Sequence, residues 1–422
     1  KLLIKVLQIS KGSQTDRTMD DSSDECKMSV CSSNLQLSRG PLLSLAFCAM
    51  AFTSLIGALP AMCVIPIAME LQLANKEVGM FLASTSWGLV LSFSLGGLLA
   101  DKFGYRIPLV VGFVCGLCGL ISVSQSPSFL VLLLSGCLVG FGTGLWLVLL
   151  TPLALAVSPK NSIRLCNFLH GMCSVGSIVT ATIAWVMIEY GASWRAIYMV
   201  FFFLTIPLAL GFSFIRLPGR ALEDHGHLPF RKYLFAGPFV VMALAIAIGG
   251  FPECGARFWI PTLISREIKG SLLFEAWLGL VCFDGAIAIG RFLGGWVVHR
   301  LGVKLSFVLG GFSSAGFLVL ASTAEGTAAT ITLLCFAGLG LSFFWPTILG
   351  CAQARYPRAG SALFSALSTM GIFGGLLGPL FIGYISESRS IQTAVGMMAV
   401  MPLLTMTCMV MLPIRSKSED AS

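Results

Sequence analysis

The stretch GGLLADKFGYR, residues 96–106, returns in altered form as GGWVVHRLGVK at residues 294–304. Gly97, Asp101, Lys102, Gly104 and Arg106 align with Gly295, His299, Arg300, Gly302 and Lys304, and each pair is 198 positions apart. The same offset joins Gly140 to Gly338, Gly142 to Gly340, Pro159 to Pro357, Met172 to Met370 and Gly176 to Gly374. One offset held over so much of the chain means internal duplication, so the sequence reads as two copies of one folding unit.

Both copies lie in apolar sequence. Of 422 residues, 56% are hydrophobic and 11% charged, where soluble proteins carry roughly a quarter charged residues. Apolar runs occur at 42–69, 78–100, 107–124, 128–157, 163–188, 194–215, 233–264, 273–298, 305–322, 327–352, 361–385 and 391–412. Each is long enough to cross roughly 30 Å of hydrocarbon as a helix. The longest polar break, RLPGRALEDHGHLPFRK at 216–232, follows the sixth run. The expectation is an all-α membrane protein with twelve transmembrane helices in two pseudo-symmetric six-helix bundles. Its parts are a disordered cytosolic tail at 1–41, an N-terminal bundle at 42–215, a cytosolic linker at 216–232, a C-terminal bundle at 233–412 and a cytosolic tail at 413–422.

The net charge of +8 raises the question of an anionic partner such as nucleic acid, and the placement of the basic residues answers it. Twenty Lys and Arg fall on the side of the tails, from the six in residues 1–41 through Lys102, Arg106, Arg300 and Lys304 to Lys417. Five fall opposite: Lys76, Arg195, Arg266, Lys269 and Arg389. That asymmetry makes both termini cytosolic and leaves no basic patch for nucleic acid. Twelve of the 14 Cys lie in apolar runs, and Cys115-Gly-Leu-Cys118 is read as packing despite its redox-like spacing. Residues 1–40 show no cleavable signal core, and Met19 and Met28 are the candidate start residues.

At these residues the chain resembles the major facilitator superfamily of secondary transporters, whose loop signature G-x-x-x-D-[RK]-x-G-x-[RK] is complete at Gly97, Asp101, Lys102, Gly104 and Arg106. The second copy departs from it at His299 and keeps Arg300. The resemblance implies that this loop is a cytosolic gate. NFLHGMCSVGSIV at 167–179, with spans ten and eleven, is similar to the fucose-permease-like group of proton-coupled sugar symporters. In that group an Asn followed three residues later by Gln or His faces the sugar, which maps onto Asn167 and His170. The acids that the group uses in spans one and four are absent here, and Leu145 and Trp146 stand near the second.

Within the spans a charge needs a partner or a watery cavity, because burial in hydrocarbon costs several kcal/mol. Four lie deep: Glu253 and Arg257 in span seven, Asp284 and Arg291 in span eight. Glu253 and Arg257 are one turn apart and suited to pair, whereas Asp284 and Arg291 are two turns apart on one face. Gly249, Gly250 and Pro252 would let span seven break beside Glu253. Asn167, His170, Ser174 and Ser177 step by 3, 4 and 3 and so form one polar stripe. The repeat pairs Asn167 with Ser365 and His170 with Ser368. Trp146, Trp259 and Trp345 are the candidate sugar-stacking planes, while Trp87, Trp185, Trp194, Trp277 and Trp296 are read as belt residues at the membrane surface.

The preferred reading is a monomeric secondary transporter of a small polar solute, most suitably a sugar. Asn167, His170, Ser174, Trp146, Trp259, Trp345 and Ser368 would bind it. Glu253, Arg257, Asp284 and Arg291 would supply cavity charge, and the coupling ion would be a proton or sodium if transport is coupled at all. An organic-anion or drug carrier and a non-transporting solute sensor are the alternatives. No cofactor, metal-ligand cluster or nucleophile motif points to an enzyme. The membrane is that of the cell surface or of an organelle.

Overall fold

The computed structural model describes residues 39–157, 162–214, 234–268, 273–356 and 360–413. The expected linker at 216–232, most of the N-terminal tail, Pro159, Pro357 and the chain from 414 lie outside the described residues. The chain divides into two units, 1–46 and 47–422; the described part of the first is the helical stretch starting at Arg39.

In hydrocarbon a backbone can satisfy its own N–H and C=O groups within a single segment only as a helix. The apolar runs become twelve helices of spanning length and composition: α1 (Arg39–Gly57 and Leu59–Glu70), α2 (Asn75–Phe103), α3 (Arg106–Ser124), α4 (Phe129–Val157), α5 (Ser162–Glu189), α6 (Trp194–Phe214), α7 (Gly237–Glu267), α8 (Leu273–Leu301), α9 (Val303–Ala321), α10 (Thr327–Leu341 and Phe344–Arg355), α11 (Gly360–Ile385) and α12 (Ile391–Met397 and Val400–Met411). Their ends fall within four residues of the runs read from sequence. No strand occurs among the described residues.

Three helices are interrupted, each just before a proline: α1 before Pro60, α10 before Pro346 and α12 before Pro402. Proline lacks the N–H that the carbonyl four residues earlier would accept. The break expected in α7 at Gly249-Gly250-Pro252 does not occur, and that helix runs unbroken from Gly237 to Glu267. Its glycines serve close packing instead: a Cβ at Gly250 would lie 2.7 Å from the carbonyl of Gly371 on α11.

Small residues set the helix spacing, as expected where lipid offers no hydrophobic drive for association. On α4, Gly136, Gly140 and Gly144 face Ser84, Thr85 and Ser92 of α2, and a Cβ at Gly140 would lie 1.9 Å from the Thr85 carbonyl. The duplication is visible in such contacts. Gly112 meets the Gly142 carbonyl in the first half as Gly310 meets the Gly340 carbonyl in the second. Gly104 (φ 72°) and Gly302 (φ 80°) take the same left-handed turn after α2 and α8, where a side chain would be strained. Gly176 of α5 abuts the Ala51 carbonyl as Gly374 of α11 abuts that of Ala247, so α1 maps onto α7 with an offset of 196, two fewer than elsewhere.

The halves meet along two seams, α2 against α11 and α5 against α8 and the second part of α10. At the end opposite the loop signature, Asn75 Nδ2 donates to the Ser386 carbonyl (3.4 Å) and Lys76 N donates to Glu387 Oε1 (2.8 Å). Arg266 Nη1 donates to Asn75 Oδ1 (2.8 Å). At the signature end the Arg164 backbone lies against Gly295 and Ile163 against Gly350.

Gly176→Ala and Gly374→Ala are each expected to lower stability by about 1–3 kcal/mol through overpacking against backbone. Gly316→Ala, where a Cβ would meet nothing within 4 Å, is expected to be neutral or to stabilise by about 0.5–1 kcal/mol. Thermal unfolding of the purified protein in detergent measures all three.

Candidate functional site

Midway along the α5–α7–α8 contact, four ionised side chains form two ion pairs. The pairing is crossed between helices. Arg257 of α7 binds Asp284 of α8 (Nε–Oδ1 2.9 Å), and Arg291 of α8 binds Glu253 of α7 (Nη2–Oε1 2.5 Å). The one-turn pair Glu253–Arg257 suggested by sequence spacing is therefore replaced by two pairs that tie α7 to α8. Glu253 and Arg257 still lie on neighbouring turns, so α8 supplies each with a partner at its own depth. Asp284 is 2% exposed and Arg291 8%, whereas Glu253 (14%) and Arg257 (19%) keep some access.

The first half reaches this cluster through the stripe on α5. Ser177 Oγ donates to Asp284 Oδ2. Arg291 Nη1 donates to the His170 carbonyl (3.2 Å) and lies 3.5 Å from Ser174 Oγ. Its Nε donates to the Ser342 carbonyl (3.0 Å). That last acceptor exists because Pro346 has no N–H to offer four residues later, so the break in α10 frees an oxygen that the guanidinium takes. A guanidinium has five N–H donors, and here they are spread over both halves of the molecule.

The other candidates separate into those near the site and those packed elsewhere. His170, Trp345 and Ser368 line a central cavity with Phe93 and Thr151; at about 10 Å³ it is scarcely roomy enough for one water. His170 Nε2 and Trp345 Nε1 have no hydrogen-bond partner among the described residues. Asn167 is buried at the α5–α8 contact, its Nδ2 donating to the Ile163 carbonyl (2.9 Å) and its Oδ1 facing Gly294. It touches α8 rather than the cavity.

Two of the three proposed stacking planes are packed away from the small cavity. Trp146 is 1% exposed, lies against Phe113 (ring centroids 4.3 Å) and fills the notch at Gly112 and Gly116 of α3. Trp259 is fully buried and donates its indole N–H to the Pro379 carbonyl (3.1 Å). Only Trp345 keeps an edge on the cavity. Among the belt residues, Trp87 and Trp296 are half exposed. Trp194, by contrast, is buried and donates to Glu70 Oε2 (2.6 Å), a carboxylate that Arg195 also grips.

At the signature loops, Gly104 and Gly302 make the turns described above. Lys102 sits 5.2 Å from the Phe103 ring centre and Arg300 4.3 Å from that of Trp296. Gly97 lets Ser365 of α11 approach α2, and Arg106 opens α3. The Asp101 side chain lies outside the described residues. Sequence reasoning missed the Ser342 carbonyl, although Pro346 was its signal, and the Asn75–Lys76–Arg266–Glu387 closure, for which no sequence signal exists. The described residues hold no cluster of three or more His, Cys, Asp or Glu suited to a metal.

Removing one member of a buried pair strands the other and costs about 3–5 kcal/mol. Arg257→Gln, Asp284→Asn, Glu253→Gln and Arg291→Gln should each lower the unfolding temperature. In double-mutant cycles, coupling is expected to be larger for Arg257–Asp284 and Glu253–Arg291 than for Glu253–Arg257.

Residues 42–367 and 278–422 match the model of the Major Facilitator Superfamily. A Bacillus subtilis protein named for niacin/nicotinamide transport, NiaP, is 24% identical over 376 residues, covering 83% of this chain and 90% of its own. The cis,cis-muconate transport protein of Acinetobacter baylyi is 26% identical over 345 residues, 76% of this chain and 81% of its own. The crystal structure of FucP, the E. coli fucose:proton symporter, in its outward conformation superposes with a TM-score of 0.67 at 16% identity, covering 87% of this chain and 97% of its own. With twelve apolar helices in duplicated halves and a family match over nearly the whole chain, the protein belongs to the Major Facilitator Superfamily and is a multi-pass membrane transporter rather than an enzyme.

Proposed function

We propose that the solute is a small organic anion, moved by alternating access together with a proton. The observation that supports this reading is the crossed charge cluster: two guanidinium groups are held mid-membrane by two carboxylates, with α5 of the other half contributing acceptors. Protonation of Glu253 would release one edge of Arg291, and a solute carboxylate would take its place as a bidentate acceptor. For a monocarboxylate the site then stays neutral, since one negative charge and one proton enter together; a dicarboxylate would need a second proton. A solute arriving alone, or a proton arriving alone, would leave a net charge in hydrocarbon at a cost of several kcal/mol, which enforces the coupling. Niacin and cis,cis-muconate, the solutes in two relatives' names, carry carboxyl groups.

In this scheme the pairs are the resting partners of the site, and Ser174 and Ser177 report its occupancy to the first half. Rocking exposes the cluster alternately to each side. Both termini are cytosolic by the basic-residue count, so Gly97, Asp101, Lys102, Gly104, Arg106 and Arg300 form the cytosolic gate, and the Asn75–Ser386 and Lys76–Glu387 contacts close the far side. The protein acts as a monomer, each copy holding a complete pathway. A sugar is the second reading. It is favoured by His170, Trp345 and Ser368, which surround the small cavity with an imidazole, an indole edge and a hydroxyl.

Uptake into proteoliposomes distinguishes the two. Labelled nicotinate or muconate should accumulate when the outside is acidic, fucose should not compete, and Arg257→Gln should lower uptake at least about tenfold, the equivalent of 1.4 kcal/mol. Glu253→Gln should lose the stimulation by the pH gradient while still exchanging labelled for unlabelled solute. Fucose uptake without carboxylate uptake would replace this reading by the sugar one.

A further inference from the structure

A cleft of about 630 Å³ opens between the halves beside α2, α7 and α11, away from the charge cluster. Its walls are Phe93, Ser94 and Gly97 of α2, Ala243 of α7, and Ala366 and Thr369 of α11, among others. Its rim carries some of the most exposed apolar side chains, Leu98 (67%) and Phe235 (84%), so the mouth faces the lipid belt. In a chain whose halves repeat, such a cleft should have a twin at the other seam, between α1, α5 and α8.

The twin is filled. Phe168 of α5 stands between Phe47 of α1 (ring centroids 5.3 Å) and Phe292 of α8 (4.9 Å), and the Phe292 ring rests on Gly171, where a Cβ would come within 2.5 Å of it. The repeat carries this plug onto the cleft residue by residue. Phe168 maps onto Ala366, Phe292 onto Ser94 and Gly171 onto Thr369 by the offset of 198, and Phe47 onto Ala243 by the offset of 196 that relates α1 to α7. All four counterparts line the cleft. Three benzyl groups that seal one seam are replaced by two methyls and a hydroxymethyl in the other.

A void of this size between packed helices forfeits contact on every wall, and the large exposed side chains described at its mouth, Leu98 and Phe235, are apolar. We propose that one acyl chain of a bilayer phospholipid occupies this cleft in place of the aromatic plug. One seam is thus sealed by the protein's own rings and the other by lipid.

The test is photolabelling of the full-length protein in lipid nanodiscs containing phosphatidylcholine with a diazirine in its acyl chain, read by peptide mass spectrometry. Label is expected on Phe93 and Thr369, and label on Phe93 separates entry from surface coating because that ring is 2% exposed, whereas Thr369 is partly exposed. Ala366→Phe, and separately Ser94→Phe, should remove that label while leaving it on the lipid-facing residues Leu134 and Phe312 (62% and 61% exposed). Phe168→Ala, which opens the twin, should bring new label to the buried Gly171. The proposal is overturned if Phe93 and Thr369 stay unlabelled, as they would if another part of the chain or a second copy filled the cleft. Label that survives both plugging substitutions in folded protein overturns it equally.

Discussion

A charge cannot stand alone in hydrocarbon, and this constraint organises the centre of the molecule. Glu253, Arg257, Asp284 and Arg291 are tolerated because each acid faces a guanidinium on the neighbouring helix and because the donors left over find Ser342, His170 and Ser174. Satisfying those groups fixes the rotation of α8 against α7, brings α5 of the other half within reach, and requires the interruption of α10 at the place where a carbonyl is needed. The same requirement makes the site responsive. Any solute or proton that changes one partner leaves another group unsatisfied until the helices move.

The duplication divides this labour unequally. Arg291 and Asp284 map onto Phe93 and Ser86 in the first half, and Glu253 and Arg257 map onto Gly57 and Ala61. All four charges therefore belong to the second copy, while the first contributes neutral groups, Ser174, Ser177 and a backbone carbonyl. The scaffold contacts stayed symmetric, as in Gly112–Gly142 and Gly310–Gly340, where backbone meets backbone and any side chain would intrude. Symmetry persists where close approach forbids change and is lost where chemistry or lipid meets the protein.

The helices were legible in the sequence because hydrocarbon admits one backbone solution for each apolar run, and the two halves were legible because a constant offset survives divergence. The pairing of the charges was not. Spacing along α7 favours Glu253 with Arg257, and only the rotation of α8, set by packing at residues such as Gly279 and Gly290, offers the better partners. The packing of Trp146 and Trp259 was not legible for a related reason: on a helix with few polar side chains, sequence does not tell a cavity face from a packing face. The repeat held a clue for Trp146, since its counterpart is Phe344, a fully buried core residue. The stripe on α5 has members that do different things, with Asn167 against α8, His170 beside the small cavity, and Ser174 and Ser177 on the charges.

Through Ser177 and Asp284 the paired charges tie α5 of the first half to α8 of the second, a link that would resist their separation. Electron-spin distance measurement between labels at Lys76 and Ser388, exposed positions in opposite halves beside the far-side contacts, tests it directly in nanodiscs. The account predicts a short, narrow distribution in the otherwise unaltered protein and a longer, broader one when Asp284→Asn is added. An identical distribution in the two proteins would contradict it.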